Sequence, residues 1–344
     1  MAAIFYQTQL MKKNDYLLER LAEPDNLRLA AWKAAKGKRY AAEVVEYFAC
    51  LETNVFLLRE QILSGAIAVG TYRYFKVYEP KERQICASAF SEQVLHHALL
   101  NICHERFEQA QIFDSYASRK GKGTHAALAR ARSFNRPGRW FLKLDVQKFF
   151  ETIHHRVLQE QLAWMFSDRH LLDIFSKIIR SYEAHPQRGL PIGNLTSQYF
   201  ANHYLAGLDH FIREKLRISA YLRYMDDMVL WHTNKNVLKD ALAAIKAFVE
   251  TDLCCALKPE VLKRTETGLP FLGYHVFPYH VRLLQKSKLR FFRKMQTVDN
   301  HYHTGDWSEA RCQRHALPLL AFVQHANAET LRKNLLLRLS GQSP

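Results

Sequence analysis

The chain of 344 residues is 48% hydrophobic and carries 49 Lys and Arg against 33 Asp and Glu, a formal net charge of +16 at pH 7. That composition excludes a disordered chain and allows a large core divided into two or three subdomains at roughly 100 to 200 residues each. The positive excess suits a polyanionic partner, nucleic acid first. A membrane partner is not expected, because no apolar run approaches the ~18 residues of a spanning helix and MAAIFYQTQLMKKNDY at the N-terminus has no apolar signal core; a cytoplasmic protein is expected.

Residues 1 to 70 read as an N-terminal helical extension, with apolar residues at helical spacing through LRLAAWKAA, AAEVVEYFACLE and NVFLLREQILSG, and with Gly65 and Gly70 at its exit. Lys33, Lys36, Lys38 and Arg39 form either a solvated face or a contact to RNA phosphates. The alternating segment YRYFKVYEPKERQICASAF predicts a β-ribbon bearing Lys76, Lys81 and Arg83. A helix over SEQVLHHALLNICHERFE follows, with Ser91 as its cap signal.

In DSYASRKGKGTHAALARARSF, Arg119, Lys120 and Lys122 alternate with Gly121 and Gly123, and Thr124 is placed to cap the next helix. This is either a flexible basic loop or a cradle in which backbone N–H groups approach an anion; the spacing is not that of a P-loop. The alternation in WFLKLDVQKFFETI predicts a strand ending at Asp145, where a buried carboxylate needs a partner or a metal ion. The interval from Asp145 to Asp226 leaves room for a helical layer between two strands. GLPIGNLTSQYFANHYLAGLDHFIREKL, residues 189 to 216, predicts a loop running into one long amphipathic helix, with Asn194, Thr196, Ser197 and Gln198 facing whatever lies above the sheet.

YLRYMDDMVLW predicts strand, tight turn, strand, with Asp226 and Asp227 at the turn. Asp suits turns, so the two could simply be turn residues. Side-by-side anions in an apolar hairpin repel unless cations neutralise them, and Arg223 is the one basic residue within it, so a pair of Mg²⁺ ions fits. A further helix runs through Leu238, Leu242, Ile245 and Val249, and GLPFLGYHVF reads as a short hairpin with Phe271 and Leu272 at its tip. From Arg282 onward the chain is expected to be helical and basic (Lys286, Lys288, Arg290, Arg293, Lys294), a clamp along a duplex. Cys50, Cys86, Cys103, Cys254, Cys255 and Cys312 show no C-x-x-C spacing and are expected to be reduced core residues. The adjacent pairs His96-His97 and His154-His155 make poor chelates.

LDVQKFF, GLPIGNLTSQ, YMDDMVLW and FLGY stand in the order and approximate spacing of the core blocks of reverse transcriptases, which the chain resembles over roughly residues 25 to 340. The resemblance implies an α+β right-hand polymerase, with a palm of antiparallel sheet backed by helices. The palm is placed at residues 140 to 280, fingers at 71 to 139 with part of 146 to 190, and a helical thumb at 281 to 344. The block Ile192 to Gln198 is similar to the I-G-x-x-x-S-Q form of diversity-generating retroelement enzymes, where group II intron relatives usually have Q-G-x-x-x-S-P; VYEPKERQI, SRKGKGTHA and the compact length fit the same subfamily. Retron and phage-defence reverse transcriptases are the nearest alternatives, and no RNase H or HNH pattern follows the thumb.

By the same resemblance, Asp145, Asp226 and Asp227, with the Val146 carbonyl, hold two Mg²⁺ ions, with Mn²⁺ able to substitute. Lys81, Arg83 and Arg119 contact the incoming triphosphate or the template, with Lys120 and Lys122 as lesser candidates. Phe150 collides with a 2′-hydroxyl, and Ile192, Gly193, Ser197 and Gln198 underlie the nascent base pair. Lys258 or Lys263 is the proton donor to pyrophosphate, although the local spacing departs from the family pattern. The implied function is RNA-directed DNA polymerisation, error-prone at template adenines, by a prokaryotic or phage-encoded enzyme. Its implied partners are template RNA, cDNA, dNTPs and a small basic accessory protein that forms a ring. The alternatives are a defence or retron enzyme making DNA from a non-coding RNA or without a template, and a non-catalytic RNA-binding scaffold, to which three intact acidic positions would bring nothing.

Overall fold

The structure is a computed structural model that describes residues 16–78 and 82–329. Its N-terminal part is helical, as expected, but divided into four pieces: α1 (Leu17–Ala22), α2 (Pro24–Ala34), α3 (Ala42–Ala49) and α4 (Leu51–Ser64). Pro24 starts α2 where its missing N–H costs nothing, and Gly65 ends α4 in the left-handed region. A two-stranded antiparallel ribbon follows, β1 (Tyr72–Val77) with β2 (Arg83–Ser88), then α5 (Phe90–Gln109) and α6 (Thr124–Phe134). Two cap expectations are corrected. Ala89 occupies the N-cap of α5, leaving Ser91 inside the helix, and Gly123 at φ 105° caps α6, leaving Thr124 as its first residue.

The centre of the molecule is a four-stranded antiparallel sheet of β3 (Trp140–Asp145), β4 (Ala220–Tyr224), β5 (Asp227–His232) and β6 (Val261–Arg264), in the order β4-β5-β3-β6. Between β3 and β4 lie α7 (Phe149–Thr152), α8 (His155–Met165), α9 (Arg169–Arg180), α10 (Leu195–Tyr204) and α11 (Ala206–His210). The pattern of α9 shows why this layer packs. Leu171, Ile174, Phe175, Ile178 and Ile179 recur on one face and are buried, while the Asp168 carboxylate accepts from the Leu171 N–H at 3.1 Å as the N-cap. The single long helix expected within 189–216 is broken. α10 stops at Tyr204, and after α11 the chain takes a π-helical turn over Phe211–Lys215. The Tyr204 hydroxyl donates to the Leu253 carbonyl at 2.5 Å and accepts from the His154 N–H, an anchoring that local spacing does not reveal.

Alternation along the central strands divides the core in two. Leu142, Leu144, Tyr221, Met228 and Leu230 pack with the helical layer, which α12 (Lys235–Thr251) extends. Phe141, Leu222, Val229 and Trp231 pack on the opposite face, against a three-stranded sheet of β7 (Leu269–Phe271), β8 (Tyr274–Val276) and β9 (Val281–Leu283) and against the last helices, α13 (Gln285–His303) and α14 (Glu309–Gln324). Arg282 therefore sits in a strand rather than in the C-terminal helix, and Leu272 and Gly273, both at positive φ, make the β7–β8 turn. Among the described residues no helix is long and apolar enough to cross a membrane. All six cysteines are free thiols; four are buried as expected, whereas Cys50 is exposed and Cys254 half-buried.

Candidate active site

The antiparallel register of β3 and β5 pairs Asp145 with Asp227, and Tyr224 pairs with Asp227 across the β4–β5 hairpin. Only Met225 and Asp226 remain for the turn, so three carboxylates collect at one corner of the sheet. Two-residue hairpin turns ask for positive φ, usually met by glycine or Asn. Here Met225 takes φ 56°. That conformation costs a non-glycine residue about 1–3 kcal/mol and persists only when its surroundings enforce it.

Burial raises the Asp226 carboxyl above its usual range, the Asp145 charge adds to the rise, and Lys258 and Arg83 oppose it. The Asp227 carboxyl is pushed up to about 6, chiefly by burial, although the Lys143 ammonium opposes the shift. Lys143 Nζ donates to Asp227 Oδ2 at 2.9 Å and to the Pro270 carbonyl at 2.8 Å. The Lys258 ammonium bonds the Asp145 carboxylate, and its backbone N–H donates to the Asp145 carbonyl at 2.8 Å. Asp227 Oδ1 is buried without a hydrogen-bond partner. Thus two lysines meet two carboxylates, and a third, Asp226, is left with the more distant charges. Among the described residues no three His, Cys, Asp or Glu side chains are already gathered tightly enough to hold a metal ion.

Lys258, singled out from the sequence, is at this corner. Lys143 is the residue that sequence reasoning missed, although strand alternation places it on the same face as Asp145 two positions later. The Val146 backbone continues the sheet, bridging to Leu257, and Gln147 N donates to the Ala256 carbonyl. Arg83 begins β2, is exposed, and reaches Asp226 through its charge. Lys81 lies outside the described residues.

The block 192–198 is seated against the ribbon. Cys86 N donates to the Ile192 carbonyl at 2.7 Å. Gly193 stands at φ 130°, and a Cβ there would lie 2.7 Å from the Cys86 carbonyl oxygen. Only glycine fits that approach. Ser197 is buried with its Oγ unpartnered, and Gln198 is exposed, its Oε1 accepting from Ser118 Oγ at 2.9 Å. Phe150 is half-buried against Phe149, and its carbonyl accepts from Leu190 N at 2.7 Å.

The basic loop is a different matter. Arg119 donates to Glu108 at 2.9 Å and to the Ile112 and Ser115 carbonyls, with its side chain 10% exposed. Lys122 donates to the Phe113 carbonyl and lies 3.4 Å from the Phe113 ring centroid. Arg119 is thus turned onto Glu108 and backbone carbonyls, and Lys122 onto a backbone carbonyl and an aromatic ring, unlike the outward anion contact expected for them; Lys120 is exposed. A cleft is lined by Tyr78, Leu272, Gly273, Lys286, Arg290 and Arg293, joining the end of the ribbon and the β7–β8 turn to α13.

Known proteins bear on this arrangement. Residues 81–276, more than half of the chain, match the family model described as "Reverse transcriptase (RNA-dependent DNA polymerase)". Protein YkfC of Escherichia coli is 23% identical over 212 residues, covering 57% of this chain and 54% of that protein. The putative COX1/OXI3 intron 1 protein of Saccharomyces cerevisiae is 22% identical over 171 residues, 47% of this chain and 20% of that protein. The chain thus spans about half or less of the length of these relatives. Among solved structures, apo telomerase from Candida Tropicalis superposes with a TM-score of 0.50 at 10% identity, covering 80% of this chain and 60% of that one, a likeness of fold. The α+β right-hand architecture, its antiparallel palm sheet carrying the carboxylates, agrees with both comparisons, and the chain belongs to the reverse transcriptase family.

Proposed function

We propose that the chain copies an RNA template into DNA by nucleotidyl transfer at the Asp145, Asp226 and Asp227 corner. The observation that carries this reading is the register of the central sheet, which sets Asp145 opposite Asp227 with Asp226 in the adjoining turn. The donors suit a hard divalent cation: all are carboxylate or carbonyl oxygens, their charge is incompletely balanced by two lysines, and Asp227 Oδ1 has no partner. Asp145, Asp226 and Asp227, with the Val146 carbonyl, would hold two Mg²⁺ ions, or Mn²⁺ in their place, which when bound supply Lewis acidity at the primer hydroxyl and the triphosphate.

The protein's own groups do the rest. Lys258, whose ammonium rests on Asp145, lies at that corner and is the candidate donor to departing pyrophosphate. Arg83 offers its guanidinium to the triphosphate or the templating base. Phe150 forms an apolar wall against which a 2′-hydroxyl would collide, which selects dNTPs. Ile192, Gly193, Ser197 and Gln198 form a floor under the new base pair, and the basic face of α13 follows the duplex.

Within this activity the finer reading is a prokaryotic or phage-encoded enzyme of a diversity-generating retroelement, copying template adenines with reduced fidelity and working with a small basic ring-forming accessory protein. Its support is the Ile192–Gln198 block, seated through Cys86 against the strand that Arg83 begins. Small differences in fit suffice, since each 1.36 kcal/mol is about tenfold in rate. The experiment is primer extension on an RNA template containing all four bases, with sequencing of the cDNA, with and without the accessory protein. Complementary cDNA with errors concentrated at adenine supports both levels of the reading. Errors spread evenly over the template bases defeat the finer one, and absence of templated product defeats the polymerase.

A further inference from the structure

Directly behind the catalytic turn lies a charged group that the chemistry above does not use. Arg223 and Asp209 are both fully buried, and they are paired: Arg223 Nε donates to both Asp209 oxygens at 2.8 and 2.9 Å, and Nη2 donates to Asp209 Oδ2 at 2.7 Å. The remaining guanidinium N–H groups are also engaged. Nη2 reaches Gln111 Oε1 at 3.0 Å and the Asn202 carbonyl at 3.2 Å, while Nη1 reaches Asn202 Oδ1 at 3.1 Å and the Met225 carbonyl at 3.1 Å. The Arg223 backbone is held as well, its N–H on the Asp114 carbonyl at 3.0 Å and its carbonyl accepting from Tyr116 N at 2.9 Å.

The contact with Met225 is the informative one. Met225 is the left-handed residue of the turn, and its carbonyl belongs to the peptide that leads into Asp226. A non-glycine residue in that conformation needs an external constraint, and a planar fork with one arm fixed on Asp209 and the other on the Met225 carbonyl supplies it. We infer that Arg223 is a positioning residue for the reaction: clamped by Asp209, it fixes the Met225 peptide and thereby the direction in which Asp226 presents its carboxylate. The same fork binds Gln111 and Asn202, and Asn202 Nδ2 donates to the Ala117 carbonyl at 2.8 Å, so the 111–117 segment and the catalytic turn share one anchor. A lysine could neutralise Asp209 but has no second arm for the turn.

This inference rests on the polymerase reading, and its test separates the two. The double variant Asp209→Asn/Arg223→Met removes both buried charges at once. It leaves residue 209 able to accept from the Tyr221 hydroxyl, a contact of 2.7 Å in the parent. Single-turnover extension of a DNA primer on an RNA template is then measured against Mg²⁺ and dNTP concentration, together with thermal melting and primer–template affinity. The expected result is a folded protein that binds primer–template and dNTP as the parent does, extends roughly a hundredfold more slowly, as a misplacement of about 1 Å costs, and needs more Mg²⁺ for half its maximal rate. A folded double variant with the parent rate and the parent Mg²⁺ midpoint overturns the positioning role alone. A parent that extends no primer removes the polymerase reading, and the role with it. If the double variant does not fold, Arg223→Lys gives the same reading, since it keeps a cation opposite Asp209: the loss of rate with unchanged dNTP affinity supports the role, and the parent rate overturns it.

Discussion

Two clusters of charge lie on either side of one hairpin turn, and they are balanced differently. Behind the turn, Asp209 and Arg223 are fully buried, and the guanidinium is paired with both carboxylate oxygens and with Gln111, Asn202 and the Met225 carbonyl. In front of it, Asp145 and Asp227 are about a third and a fifth exposed, Asp227 Oδ1 has no partner, and burial and mutual repulsion hold Asp226 and Asp227 above the usual carboxylate range. A charge pair that is complete can act only as structure, whereas an incomplete one retains free energy for an incoming cation. The chain therefore uses its satisfied ion pair to hold the turn and leaves its incompletely paired carboxylates partly exposed.

The largest expected effect breaks the front cluster. Asp226→Asn should reduce primer extension by about three orders of magnitude or more, because several kcal/mol of charge stabilisation are lost, while RNA affinity stays near the parent value in a filter-binding assay. Removing one member of the rear cluster should act on the fold instead: Asp209→Ala leaves Arg223 buried without a counter-charge and should cost about 3–5 kcal/mol in a urea-unfolding measurement. A loss below about 1 kcal/mol there would mean that water or another acid replaces Asp209. RNA affinity should fall with a log-log slope of several units in salt, since the chain carries a net charge of +16 and α13 presents exposed cations such as Lys286 to phosphates. Phe150→Ala should raise rNTP use relative to dNTP about tenfold, the scale of one lost steric contact, read by competition of the two nucleotides on one template; unchanged discrimination would make Phe150 a packing residue only. The smallest effect belongs to the ribbon, where Lys76 and Glu82 pair at 2.6 Å with both side chains more than half exposed. Glu82→Gln should change stability by less than about 1 kcal/mol.

The front cluster is largely legible in the sequence because strands broadcast their faces. Alternation in WFLKLD and in YLRYMDDMVLW predicts both strands, with Asp145 at a strand end and Asp226-Asp227 at a turn, and puts Lys143 on the face of Asp145, while the register that brings them together is seen only in the sheet. The rear cluster is not legible. Asp209 lies on α11, well before Arg223 in the chain, beyond a break in the helical run after Tyr204, whose hydroxyl is bonded to Leu253 and His154. The basic loop misleads for a related reason: glycines and cations at 119–123 read as an anion cradle, but Glu108 and the Ile112, Phe113 and Ser115 carbonyls, supplied by the preceding segment, take Arg119 and Lys122 inward. Helix starts shift from the hydroxyl signals wherever a backbone turn does the capping, as at Ala89 and Gly123.

The most direct measurement of the difference between the clusters is Mn²⁺ binding followed by electron paramagnetic resonance on the protein with primer–template and dNTP, for the parent, Asp226→Asn and Asp209→Asn/Arg223→Met. Tight Mn²⁺ is expected in the parent, its loss in Asp226→Asn, and retained but weakened binding in the rear double variant. Mn²⁺ bound equally by the parent and Asp226→Asn would contradict that expectation.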